Sequence, residues 1–331
     1  MIQNDNLEKY RFIGDEQADP VVEFCAKSVN KDLVQFLLFQ DTSNLLSHLP
    51  VELQLKWEKM QQFPAWIDFQ KIKIATDFFS KYAQPIMTML GLYSLPYCYA
   101  AAKGVKVLYF SERLRSDTLK RLYETAEFVW NVTQYDHWID GKIFKFTQKI
   151  RFLHAWIRYC ICRLPSWKIS WGLPINQEDM AGTNLAFSLI VLRGLRKIQL
   201  KVSFQEAESY LHLWNVVGNL LGIDERLIPK TLKQASLLEQ KIAERQFVPS
   251  MEGQTLTKKL VNTLHEATQK KISIKIIENY IHYLLGDDVS SVLNIKADFL
   301  YPTILYSYDI GKMVFKINPN FYEKRSILIS D

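Results

Sequence analysis

Long hydrophobic runs are missing from this chain. No stretch of about 18 uncharged apolar residues occurs, so no membrane-spanning helix is expected. The opening MIQNDNLEKYRF has neither the basic start nor the apolar stretch of a secretory signal, and a twin-arginine signal is absent too. Cysteine is scarce, with Cys25, Cys98, Cys160 and Cys162 in no framework spacing. Cys160 and Cys162, two apart on a helix, face different ways and should not pair. A reduced, cytoplasmic setting is therefore expected. Glycine (12) and proline (11) are few in 331 residues, and no strand-like run is bounded by Asn-Gly turns. The fold class is accordingly mainly α, multi-helical. Charge of one sign is not in large excess: the net +6 is scattered through helices rather than gathered in a stripe. That gives nucleic-acid binding little support and suits an anionic cofactor or an acidic membrane surface equally. The motifs of several enzyme classes are also absent: no Gly-rich phosphate loop, GxSxG, CxxC or HExxH, and no histidine pair at metal-ligand spacing.

What is present is a large apolar inventory, 48% hydrophobic and 13% aromatic, enough for one big domain or two ordinary ones. Pro20 is expected to break any early helix. A short helix is predicted over residues 31–49, ending at Leu49-Pro50, and a second stops at Phe63-Pro64. A longer helix follows, interrupted at Pro85, and then an aromatic segment around Pro96. Its Tyr93, Tyr97 and Tyr99 need hydrogen-bond partners if buried. A helix is predicted over 111–132 with Ser111 or Ser116-Asp117 as N-cap, the second preferred. Asp140-Gly141 makes a turn. Asn176–Asp179 reads as a polar entry into a buried helix, and Ser203 with Glu206 forms a capping box. From about residue 248 the composition shifts. The expected organisation is an N-terminal helical extension (1–50), a core (51–250) and a C-terminal helical extension packed on it (251–331). The amphipathic segment 270–286 is expected to pack on the core, with a peripheral membrane contact as the alternative.

The stretch 147–158, TQKIRFLHAWIR, carries the chemistry. Arg151 lies three residues before His154 and Arg158 four after, so all three share one helix face. The other side chains nearby are apolar. A neutral imidazole between two permanent cations suits iron ligation beside an anionic group such as a haem propionate. The competing reading is a core histidine on a helix whose arginines reach solvent. His212 is the rival ligand, in an apolar helix, and is read as a satisfied core histidine. Glu178-Asp179 is read as a capping and ion-pairing couple, with Arg151, Arg158 or Arg193 as partners. Glu178 could also orient the second nitrogen of His154.

Arg121-x-x-x-Thr125 followed by AEFV, the R-F-L-H-A-W-I-R helix, PINQEDMAGT and EAESYLHLWNVVGNLLGI occur in this order. Together they resemble the latex-clearing-protein (rubber oxygenase) and MpaB-type oxygenase family over roughly residues 60–295. The resemblance implies a globin-like helical core binding haem b, with His154 as the iron ligand. It implies Arg121 and Thr125 on the distal, catalytic side, and Arg151 and Arg158 as propionate (cofactor-binding) or structural partners. O₂ would be the co-substrate, and an apolar substrate with an alkene or prenyl chain would lie against residues 92–99 and Trp130. This sequence departs from the rubber-cleaving pattern in two places. Glu124 stands where those members carry a lysine, and residues 103–107 offer no upstream glutamate, Glu112 being the nearest acid. A haem-binding sensor, carrier or peroxidase-like protein without oxygenase activity is therefore the alternative, and a haem-free helical interaction protein the third reading. The sequence leaves the oligomeric state open.

Overall fold

A computed structural model describes residues 4–28, 49–114 and 118–296. The helix expected over 31–49, the preferred N-cap at Ser116-Asp117 and the last 35 residues lie outside this set. Among the described residues all regular structure is helical, apart from one isolated antiparallel bridge between Ala101 and Phe247.

The helices are α1 (Asn4–Tyr10), α2 (Ala18–Ser28), α3 (Val51–Lys59), α4 (Phe69–Met89), α5 (Leu95–Tyr99), α6 (Val105–Leu114), α7 (Thr118–Val132) and α8 (Tyr135–Ile139). They continue as α9 (Lys142–Ile161), α10 (Gln177–Leu185), α11 (Val191–Lys197), α12 (Phe204–Leu220), α13 (Leu232–Gln246), α14 (Met251–Ala267), α15 (Ile274–Leu285) and α16 (Asp287–Val292). Six of these starts are written locally. Asp68, Asn176, Ser203, Thr231, Ser250 and Ser273 each accept a hydrogen bond from a backbone N–H of the first turn of α4, α10, α12, α13, α14 and α15. Gly141, at φ +77°, makes the left-handed turn that starts α9.

Two sequence expectations fail for physical reasons. Pro20 sits in the first turn of α2, where its missing N–H has no helical partner to lose, so it starts a helix rather than breaking one. Ser111 lies inside α6, its hydroxyl donating to the carbonyl of Leu108.

Pro85 bends α4: Tyr82, just upstream, leaves helical geometry at φ −118°, ψ 24°. The chain then stays helical through a π turn, Leu90–Ser94, into α5. A second π turn, Ala186–Ile190, joins α10 to α11. The two π turns meet in the interior, where Ser94 Oγ donates to the Ala186 carbonyl at 2.6 Å.

The main apolar cluster forms where α12 lies along α4 and includes α5, α7, α11, α14 and α15. Ile277, Tyr280, Ile281 and Leu284 of α15 are fully buried there, so the amphipathic segment packs on the core. A second cluster joins α2 and α3 to Phe152 and Ala155 of α9. A third joins α1 to α10, α12 and α13. Helix α9 thus stands between the main core and the N-terminal layer, packed against α2, α6, α7, α8 and α12.

Candidate functional site

Helix α9 places Arg151, His154 and Arg158 along one face, as their spacing requires. The face is turned toward the N-terminal segment. Arg151 Nε and Nη2 donate to Asp15 at 2.6 and 2.9 Å, and its other donors reach Gln17 and the Leu220 carbonyl. Arg158 Nε donates to Asp19 at 2.9 Å, and Nη1 to the carbonyls of Pro174 and Ile175. Asp15 and Asp19, one turn apart, therefore clamp the two arginines that flank His154.

The carboxylates respond differently. Burial pushes Asp15 up, but Arg151 and the backbone N–H groups of Ala18 and Gln17 outweigh it, so its pKa lies below the ordinary value. For Asp19 burial wins over Arg158, and the pKa is raised.

His154 sits between these pairs without a partner of its own. Burial first, and the adjacent Arg158 second, push its pKa down to about 4, so the ring is neutral at pH 7. Nδ1 is enclosed and has no hydrogen-bond partner. The side chain nevertheless keeps some accessible surface. Arg158 Nη2, Gln148 Nε2 and Trp57 Nε1, the last on a ring stacked on Phe152, are also buried without aligned acceptors. Each such group on and against α9 costs about 1–3 kcal/mol unless something else satisfies it.

His212 differs. It too is neutral, pushed down to about 4 by burial and by Lys71. Its Nε2 accepts from the Asp68 N–H at 3.0 Å and its ring meets Trp66 edge-on, so it is a satisfied structural histidine.

Glu178 does not orient His154. It is fully buried and takes hydrogen bonds from Arg11, Arg245 and Gln246. Burial raises its pKa despite both arginines. Arg11 also reaches Asp179 at 2.8 Å. The expected partners Arg151, Arg158 and Arg193 are engaged elsewhere, Arg193 with Glu239 at 2.7 Å. These distant pairings carry no local sequence signal. The tyrosines of 92–99 are not a free pocket wall: Tyr97 donates to Glu239, Tyr93 hydrogen-bonds Arg193, and both rings belong to the main core.

Helix α7, packed against α9, carries Arg121 and Thr125 one turn apart. Both are half-buried, and neither side chain has a hydrogen-bond or ion-pair partner among the described residues. Glu124 is exposed. Half-buried Leu108, Tyr109, Leu119, Phe128 and Trp130 surround this region of α6 and α7 and pack on the main core.

Among the described residues no group of three or more His, Cys, Asp or Glu could hold a bare metal ion. A solitary neutral histidine suits a metal whose remaining ligands come from a macrocycle, and the unpaired His154 fits that demand.

Residues 53–302 match the family described as ER-bound oxygenase mpaB/B'/rubber oxygenase, catalytic domain. The chain is 25% identical over 291 residues to a rubber oxygenase from Streptomyces sp. (strain K30), covering 86% of this chain and 71% of that protein. Its fold is similar to a structure of latex clearing protein LCP in the closed state, with a TM-score of 0.76 at 22% identity. That match covers 93% of this chain and 84% of the other.

Proposed function

The chain belongs to the ER-bound oxygenase mpaB/B'/rubber oxygenase family, and from that premise we propose that it is a haem-b-dependent oxygenase acting on an apolar substrate, with His154 as the iron ligand. The observation that carries the proposal is the state of His154: neutral, inside the protein, and left without a partner. The N-terminal clamp holds the helix on both sides of it.

Haem bound there would supply the one-electron and dioxygen chemistry that side chains lack. The protein's own residues would do the rest. The depressed basicity of His154 keeps its lone pair available across the neutral range. Arg121 and Thr125 hold unpaired donors that can stabilise negative charge developing during oxygen transfer. Arg158 Nη2, 2.9 Å from Asp19 but not aligned to donate to it, is the donor most readily offered to a propionate. Arg151 is saturated by Asp15, Gln17 and Leu220, so its part in cofactor binding is to fix the helix rather than touch the group. The apolar side chains of α6 and α7 would receive an alkene or prenyl chain and exclude water from it.

Visible absorption spectra of protein from haem-replete cells, before and after dithionite, test the reading. A Soret band that shifts on reduction is expected in the natural protein, and His154→Ala loses it. Full haem retention in that variant overturns the assignment.

Glu124, in place of the lysine of rubber-cleaving members, favours a second reading, a haem-binding sensor, carrier or peroxidase-like protein without oxygenase activity. An assay for oxidised products from prenylated small molecules under O₂ separates the two.

A further inference from the structure

Between residues 151 and 177 the sequence contains Arg151, Arg158, Arg163 and Lys168 and no acidic residue. The first two cations are spent on Asp15 and Asp19. The other two lie in the connection 162–171, CRLPSWKISW, which leaves α9 and runs over the surface. Ile169 is 70% exposed and Leu164 36%, and Arg163 and Lys168 are exposed beside them. Phe12, 47% exposed, is held next to the same connection: the carbonyl of its neighbour Arg11 accepts from the Leu173 N–H.

Such a segment would ordinarily be mobile, but this one is built. Trp167 Nε1 donates to the Gly172 carbonyl at 3.0 Å, and the Trp167 and Trp171 rings meet edge-on. Both rings pack on Phe110 of α6. Arg11 Nη2 donates to the Trp171 carbonyl at 2.6 Å. Lys106 and Lys168 lie over the Trp171 ring at 4.6 and 5.8 Å. Gly172, at φ +85°, passes so close to the Arg11 carbonyl that a Cβ there would sit 2.6 Å from it. Arg163 stacks on Tyr159. Glu23, whose carboxylate feels the charge of Arg163, pairs with Lys27 at 2.7 Å.

Aliphatic tips, half-buried tryptophans behind them and flanking cations with no ion pair among the described residues match the polarity profile of a bilayer interface, apolar below and anionic above. We propose that segment 162–171, with Phe12, is an interfacial anchor that docks the protein on an anionic lipid surface. Charge complementarity selects the occupant: the charged side chains of the segment, Arg163 and Lys168, are both cationic, which a zwitterionic surface meets only in part. The rigid scaffold means little ordering entropy is lost on contact. The anchor packs on α6, which flanks the His154 helix, so docking would bring a lipid-dissolved molecule to the apolar side of the site. The docking itself does not rest on the haem reading.

Co-sedimentation of the full chain with phosphatidylcholine vesicles, with and without phosphatidylserine, tests it. The expected result is stronger binding to the phosphatidylserine vesicles, weakening with salt. Lys168→Glu and Ile169→Asp change exposed side chains and should leave the thermal midpoint unaltered. Each should cut partitioning roughly fivefold or more, the scale of one cation at an anionic surface. Phe204→Asp, which removes a 75% exposed aromatic outside the segment, should change nothing. The proposal is overturned by equal binding to both vesicle types, by binding to neither, or by loss in Phe204→Asp equal to that in the anchor variants. Capture of a protein partner that Ile169→Asp abolishes, with no vesicle binding, overturns it in favour of a protein-docking surface.

Discussion

The environment of His154 depends on pairs of side chains, and their energies can be separated. Arg151 and Asp15 are both nearly buried, at 6% and 2% exposure, and joined by two hydrogen bonds. Removing one member leaves the other's charge buried and unpaired. Arg151→Met should therefore destabilise the protein by about 3–5 kcal/mol in urea unfolding. Asp15→Asn added to it should recover a large part, because the remaining group is then neutral. If the double variant is no more stable than the single, the pair is not the source of the loss. His212 gives a pH test. Its folded pKa, about 4, lies below the unfolded value of about 6.5. The unfolded chain therefore takes up the proton first, and stability falls as pH drops from about 6.5 toward 4, with no effect above that window. His154 contributes in the same direction. His212→Gln keeps an oxygen to accept from the Asp68 N–H but cannot titrate. It should make the midpoint temperature fall less steeply across this window, and an unchanged slope would remove His212 from the account.

Helix α7 is where structure and chemistry come apart. Arg121 has no partner among the described residues, so Arg121→Ala breaks nothing and should stay within about 0.5 kcal/mol of the natural stability. It should keep the Soret band and lose at least about tenfold in product formation or stable oxygen binding, if its donors act on developing charge. Unaltered oxygen chemistry would sink the distal assignment. Several local helix signals were legible in the sequence: the Ser203–Glu206 box, the polar entry at Asn176–Asp179 and the Gly141 turn stand where the pattern put them, while Pro20 and Ser111 do not. The partners of α9 were not legible, because Asp15 and Asp19 lie more than 130 residues away and pair only once α2 packs. For the same reason Glu178 looked available to His154 until Arg11 and Arg245 closed on it. The π turns were not anticipated in the sequence; in the fold the one between α4 and α5 meets the one between α10 and α11.

At the scale of the whole molecule, three apolar clusters and the N-terminal clamp are complete from the chain's own atoms. The haem-free protein should therefore be helical by far-UV circular dichroism. His154 Nδ1 is one of several buried polar atoms left without a hydrogen-bond partner, and Arg158 Nη2 lies on the same helix. A group that binds only the folded state adds RT ln(1 + [L]/Kd), about 2.7 kcal/mol at a hundredfold excess over Kd. Adding haemin to the haem-free protein should raise its melting temperature in a concentration-dependent way. For a chain of this size the shift should be roughly a few degrees. His154→Gln should melt near the natural haem-free protein and show little of the rise, since a neutral amide fills the space but ligates iron poorly. A rise of the same size in that variant would mean that haemin binds elsewhere, and the lone histidine would then be a structural one.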